Sequence, residues 1–291
     1  MKKALLQMHL AVFLWGFTGV LGRAIQLDAY PMMWYRTLLT ACMLLLILLF
    51  RKEKFIKQPK ELLRFAAIGS VIAIHWVAFY AAIKYANASI ALICLATAGI
   101  FTSLLEPLVS KSRFDYREFV VGLIALIGMY CIYAFDVHFA TGILLGLVAA
   151  LLSSFFTVLN KRIVSNYSPF SVAFYEIGFG FLFLCLLFPV YHWRFPGANW
   201  QPSRIDLVWL IVLSFFCTVL GQSLAISALK KLSSFTTVLM VNLEPVYGII
   251  LAMIFYQENK ELGLGFYLGI VLIAGSVALH TLNVIRGKSS H

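Results

Sequence analysis

The chain has 291 residues, 62% of them hydrophobic and 12% charged, with a mean hydropathy of +0.92 and a formal net charge of +11. A water-soluble domain carries charge on about a quarter of its positions, so this composition excludes a soluble fold and predicts an all-α integral membrane protein. Runs long enough to cross ~30 Å of hydrocarbon at ~1.5 Å per residue are legible ten times, at approximately 4–24, 31–50, 62–83, 88–110, 118–135, 140–162, 170–190, 206–229, 234–256 and 263–285. The short connections leave no room for a soluble domain, so any activity sits in or between helices.

The first run opens like a signal peptide, with Lys2 and Lys3 ahead of apolar residues, but it continues to about Ala24 without a small-x-small cleavage site and is expected to be retained. Trp15, a candidate substrate contact, precedes Gly16, Gly19 and Gly22, a smooth ridge suited to close helix approach. In the second run Arg36 lies ~7.5 Å along the helix from the outer end. It reads as a cavity or gate residue, a snorkelling anchor, or half of a salt bridge between helices. The third run, "IHWVAFYAAIK", gathers His75, Trp76 and Tyr80 into an aromatic, titratable surface, although a lone intramembrane histidine also serves packing. Near the cytoplasmic end of the fourth, Glu106 precedes Pro107 and either caps the helix, within reach of Arg113, or takes part in gating. The seventh carries Tyr175 and Glu176, the latter at the repeat position of Arg36, and the eighth carries Gln222, within one residue of the repeat position of His75.

The ninth run, "TTVLMVNLEPVYGIILAMIF", places Glu244 and Pro245 side by side at mid-span. A carboxylate there costs ~2.5–3.5 kcal/mol on insertion scales, and an interior proline ~3 kcal/mol in helix propensity. Proline also deprives the Val241 carbonyl of its partner and kinks the helix. Backbone freed in this way is tolerated only against protein or a wet cavity, so Asn242 and Glu244 are expected on a polar cavity wall. A glutamate paired to a neighbouring helix for packing is the alternative.

Seventeen lysines and arginines fall in segments that are cytoplasmic if the N-terminus is, against five (Arg23, Lys84, Arg194, Arg204 and Lys260) on the other side. This positive-inside bias places both termini in the cytoplasm and accounts for the basic excess without nucleic acid.

The two halves repeat. "FLWGFTGVLGRAI" from Phe13 aligns with "LLSSFFTVLNKRI" from Leu151 at an offset of 138, "AAIKYANAS" with "SALKKLSSF" at 146, and "GLIALIG" with "GIVLIAG" at 147. The matches keep their order. Each half, 1–138 and 139–291, holds five spans, so the second enters the membrane inverted. Such repeats offer two ways of closing one central site.

These residues resemble the drug/metabolite transporter superfamily and its EamA branch. The resemblance is carried by "WGFTGVLGR", "YPMMWYRTLLTACMLLL", "LAISALKKLSSFTTVLMVNLEPVYGIILAMIFYQE" and "GFYLGIVLIAGSVAL", and covers essentially the whole chain. The chain departs from the pattern in its first half, where Gly99 stands against Pro245 and no glutamate matches Glu258. The resemblance implies export of amino acids, related metabolites or toxic organic compounds, with spans 1–4 and 6–9 lining the path and spans 5 and 10 as support or dimer contact. It also implies a bacterial inner-membrane location.

Other classes fit poorly. There is no P-loop, so a gradient of substrate or ions supplies the energy, and no cofactor or metal site is expected. The five cysteines lie inside apolar runs without Cys-x-x-Cys spacing and read as packing residues. Motifs of a membrane-embedded enzyme are absent, as are channel filters and receptor domains. The expected partners are a small-molecule substrate, the bilayer and protons, in a monomer or homodimer. If protons drive transport, His75, Glu176 and Glu244 are the candidate carriers.

Overall fold

The computed structural model describes residues 2–111, 114–135, 139–241 and 243–257, with 265, 267–269, 271–272, 274–276 and 278 beyond them. Every regular element among the described residues is helical. Hydrocarbon offers no water to an unpaired N–H or C=O, and a helix satisfies its backbone internally.

The helices are α1 (Lys2–Ala24), α2 (Ala29–Phe50), α3 (Pro59–Tyr85), α4 (Ala88–Leu95), α5 (Ala98–Ser110), α6 (Tyr116–Phe135), α7 (Ala140–Lys161), α8 (Pro169–Arg194), α9 (Arg204–Val212), α10 (Gly221–Leu229), α11 (Ser234–Val241) and α12 (Glu244–Tyr256). Among the described residues, eight stretches are long and apolar enough to cross a bilayer: α1, α2, α3, α4 with α5, α7, α8, α9 through α10, and α11 with α12. The fifth expected run is the 20-residue α6. A shorter apolar helix, Tyr267–Ser276, falls in the tenth, much of which lies outside the described residues. By length and composition this is a multi-pass membrane protein.

Several helices begin at a side-chain cap, α8 and α9 among them. Ser168 Oγ accepts the N–H of Ser171 at 3.1 Å, with Pro169 in the first turn, and Ser203 and Asp206 cap one another's backbone reciprocally. The surface inverts that of a soluble protein. Phe50, Leu108, Leu186 and Trp193 are exposed, whereas Arg36, Asn160, Glu176 and Glu244 are buried. An apolar exterior suits lipid, and it leaves the polar side chains to face one another.

Small residues set the closest approaches. Gly16 lies against Tyr247 and Gly248, Gly19 against Ala88 and Leu92, and Gly22 against Tyr80, so the ridge in α1 is a packing surface. At the α3–α8 crossing a Cβ on Gly69 would sit 2.2 Å from the carbonyl oxygen of Glu176, and one on Gly180 would sit 2.9 Å from that of Gly69. Across the bundle α1 packs on α10 and α12, α2 on α8, and α3 on α7 and α8. The halves are interleaved rather than set side by side.

Two spans are interrupted in the same way. The bounds of α4 and α5 recur 146 residues later as those of α11 and α12, and both second pieces end in a left-handed residue, Lys111 and Gln257, each at φ 54°. At the first break the Thr97 N–H and hydroxyl both reach the Cys94 carbonyl, at 3.1 and 2.7 Å. At the second, the Leu243 N–H donates to Met240 O at 3.0 Å, and Pro245 falls in the first turn of α12, where its missing N–H leaves no bond unmade. The kink expected from Pro245 is therefore a full interruption. Its counterpart beside Gly99 shows that proline is not required for it.

The four described cysteines, Cys42, Cys94, Cys185 and Cys217, are free thiols.

Candidate functional site

Where the interrupted and continuous helices meet, they enclose a cavity of about 80 Å³. A single water needs ~10–15 Å³ by this kind of measure, so the space has room for several. Its wall comes from α1 (Met8, Trp15, Thr18), α2 (Arg36), α3 (His75, Trp76, Phe79, Tyr80), α7 (Ser153, Phe156, Thr157, Asn160), α10 (Gln222 and apolar neighbours), α11 (Thr237) and α12 (Glu244).

Arg36 is 2% exposed and points inward. Its Nε donates to Thr218 Oγ1 and its Nη1 to the Tyr80 hydroxyl, both at 2.9 Å, and its guanidinium lies 4.2 Å from the centre of the Trp76 ring. A guanidinium held by two hydrogen bonds and an aromatic face keeps its orientation. Glu244, 5% exposed, accepts the Thr18 hydroxyl at 3.2 Å and lies within electrostatic range of Arg36. One cavity thus presents a fixed cation and a carboxyl group on separate helices. Neither is stable alone at this depth, and each lessens the cost of burying the other.

The helix carrying Thr218 is irregular. From Leu213 to Leu220 the chain winds as a π-helix between α9 and α10, and π turns are frequent at functional sites. The widened turn brings Thr218 under Arg36 and presents the Cys217 carbonyl, which accepts the Trp15 indole N–H at 2.8 Å. His75, 7% exposed, bonds through Nδ1 to the Ala149 carbonyl at 2.7 Å; since the carbonyl can only accept, Nδ1 carries the proton. This tethers the ring to α7, edge-on to Phe156 at 5.4 Å between centroids.

Of the residues singled out in the sequence, Trp15, Arg36, His75, Trp76, Tyr80, Gln222 and Glu244 line this cavity. Pro245 follows Glu244 in the first turn of α12. Asn242, Arg113 and Glu258 lie outside the described residues. Tyr175 is elsewhere: it stacks on Phe65 at 5.5 Å, and its hydroxyl accepts the Ile56 N–H at 2.7 Å. Glu106 caps α11, accepting the Phe235 N–H at 3.1 Å. Glu176 is fully buried behind the cavity wall, with the carboxamides of Asn160 and Gln222 beside its carboxyl. Residues the sequence reading passed over include Thr18, Asn160 and Thr218. Thr18 follows Trp15 by three residues, one helical turn along the same face, which is a usable signal. Nothing in "LSFFCTVL" marks a π turn.

Both ends of the bundle are tied. At one, Asp28 accepts the Asn199 N–H and Asp206 the Gln26 N–H, both at 2.8 Å, and Lys84 Nζ donates to the Ile25 carbonyl at 2.7 Å. At the other, Lys161 Nζ donates to the carbonyls of Leu229, at 2.7 Å, and Leu232, while Glu53 accepts Ser168, Ser171 (2.6 Å) and Arg51 (3.0 Å). Burial pushes the Glu53 carboxyl up, but the two hydroxyls and the guanidinium outweigh it and hold it below the usual glutamate value.

The sequence profile of the EamA-like transporter family matches this chain twice, over residues 2–134 and 140–282. An "Uncharacterized transporter YxxF" of Bacillus subtilis (strain 168) is 24% identical over 297 residues, covering 99% of this chain and 92% of that protein. An "Uncharacterized transporter" of Clostridium kluyveri is 24% identical over 212 residues, 69% of this chain and 66% of its own length. A solved chain described only as "Crystal structure of protein" superposes with a TM-score of 0.74 at 16% identity, covering 99% of this chain and all of the other. That likeness shows the fold alone.

Proposed function

Because the chain belongs to the EamA-like transporter family, we propose that it is a secondary transporter that exports a small polar or amphipathic metabolite, an amino acid or a related compound, by alternating access. The observation that carries the reading is the pairing of Arg36 and Glu244 in one cavity. A zwitterion offers a carboxylate to the guanidinium, which binds it as a planar fork, and an ammonium group to the glutamate. Trp15, Trp76 and Phe79 supply apolar wall between them.

The architecture in this reading is ten helices in two inverted five-helix repeats, 1–138 and 139–291. Support comes from the two successive profile matches and from the recurrence of caps, break and left-handed terminus 146 residues apart. Inverted copies exchange conformations about a central site, and the ties at the two ends are the contacts that would open in turn. Both termini are cytoplasmic by the charge bias, the membrane is a bacterial inner membrane, and protons are the proposed coupling ion. The chain works as a monomer or homodimer.

The test is uptake into proteoliposomes. Purified protein is screened against amino acids, lipid precursors and organic cations, with and without an imposed proton gradient. Uptake of a zwitterion above protein-free vesicles is expected; uptake restricted to compounds without a carboxylate would reject the Arg36 assignment.

A further inference from the structure

Behind the cavity wall lies a cluster of buried acceptors that make no hydrogen bond of ordinary geometry, although two carboxamides lie beside them. Both carboxyl oxygens of Glu176 and Oδ1 of Asn160 are buried without a hydrogen-bond partner. Glu176 is wholly inaccessible and Asn160 is 2% exposed. Asn160 and Gln222 face the Glu176 carboxyl while also lining the cavity, so they form the partition between the two spaces.

Buried polar groups are ordinarily paired, and an ionised carboxylate without a counter-charge is among the costliest groups to bury. The helices packed on Glu176 bring no counter-charge. On α2, Arg36 is committed to Thr218, Tyr80 and the Trp76 ring. On α3, His75 is tethered to Ala149, and Gly69 meets Glu176 with bare backbone. On α7, Lys161 donates to the Leu229 and Leu232 carbonyls, and α10 has no ionisable side chain, offering only Gln222. One hydrogen removes the conflict: on Glu176 it neutralises the carboxyl and supplies an O–H donor for an acceptor such as Asn160 Oδ1.

We propose that Glu176, Asn160 and Gln222 form a proton-binding site separate from the substrate cavity, with the two carboxamides as the shared partition through which its occupancy is felt. Its use as the coupling site rests on the transporter reading; its existence does not. When the proton leaves, the bare carboxylate draws the N–H groups of Asn160 and Gln222 toward itself, and the cavity loses those donors.

Infrared spectroscopy of the full chain in lipid tests this without a substrate. At neutral pH the wild type is expected to show a protonated carboxylic acid C=O band that moves in heavy water. Glu176→Gln should remove that component, and Glu244→Gln should leave it in place. Asn160→Leu keeps the carboxyl and should shift the band, which keeps the test sound if Glu176→Gln fails to fold. No protonated band in the wild type, or one indifferent to Glu176→Gln and Asn160→Leu, overturns the site. A band present in choline buffer and absent in sodium buffer overturns it in favour of a monovalent cation. The coupling role is read separately: for any compound the uptake screen identifies, Glu176→Gln should keep gradient-free uptake and lose acceleration by a pH gradient. Persistence of that acceleration in the variant overturns the role.

Discussion

Asn87 and Ser233, 146 residues apart, make the same hydrogen bond: the side-chain oxygen of each accepts the N–H three residues on, Ile90 at 2.8 Å and Thr236 at 3.0 Å. Each starts a short helix that stops eight residues later, before the chain re-forms a helix toward the opposite end of the bundle. An isolated two-turn helix is unstable in water, so a cap at each start matters more here than on a long span. Asn87→Ala and Ser233→Ala should each lower stability by ~1 kcal/mol, read as a lower midpoint of thermal unfolding in detergent. An unchanged midpoint in both would deny the caps their role.

Arg36→Lys keeps the charge and loses the fork. Thr218 Oγ1 and the Tyr80 hydroxyl can no longer be bridged by one rigid group. With charge-assisted hydrogen bonds worth ~1.5–3 kcal/mol each, uptake of the compound found in the screen should fall by about tenfold or more while membrane insertion is kept. Wild-type flux in the lysine variant would sink the assignment.

Glu244→Gln is nearly isosteric and retains an acceptor for the Thr18 hydroxyl. It should insert normally and abolish or uncouple transport. Flux measured at several pH values is the check, and a profile matching the wild type throughout rejects a role for the carboxyl.

Gly69→Ala sets a methyl 2.2 Å from the Glu176 carbonyl oxygen, so the α3–α8 crossing must part. Overpacking of this kind costs ~1–3 kcal/mol. Gly178→Ala, on the same helix as Glu176 with nothing within 4 Å of the added carbon, should be neutral or slightly stabilising. Equal melting temperatures for the two variants would contradict the packing.

Glu53 predicts an acid-sensitive tie between the 51–58 loop and α8. Its folded-state value lies below the ordinary glutamate value, so its contribution is present above that ordinary value and is lost as pH falls through the lower, folded one. Glu53→Gln should therefore lower the melting temperature at neutral pH, and the gap to wild type should close in acid. A gap that is the same at both pH values argues against the hydrogen bonds from Ser168 and Ser171 as its source.

The sequence made the helices legible because hydrocarbon leaves the backbone one local solution, and it flagged Glu244 and Arg36 because charge at bilayer depth is expensive. The 146-residue register read from "KYANAS" and "KKLSSF" lands on two matched breaks, although only one carries a proline; what recurs is backbone geometry, which different residues can satisfy. Tyr175 and Glu176 are neighbours in the sequence, yet adjacent residues on a helix point about 100° apart, and only the carboxyl reaches toward Gln222. Thr218 was hidden because a π turn rotates every later residue relative to an ordinary helix. The place of Asn160 in the wall depends on the crossing of α7 with its neighbours, a tertiary fact.

Gly69 and Gly180 have a mechanical consequence. They belong to different profile matches, yet their backbones meet with no side chain between them, so sliding either helix by a single residue would drive a neighbouring Cβ into the opposing main chain. A rearrangement that kept this seam closed would carry α3 and α8 together as one piece.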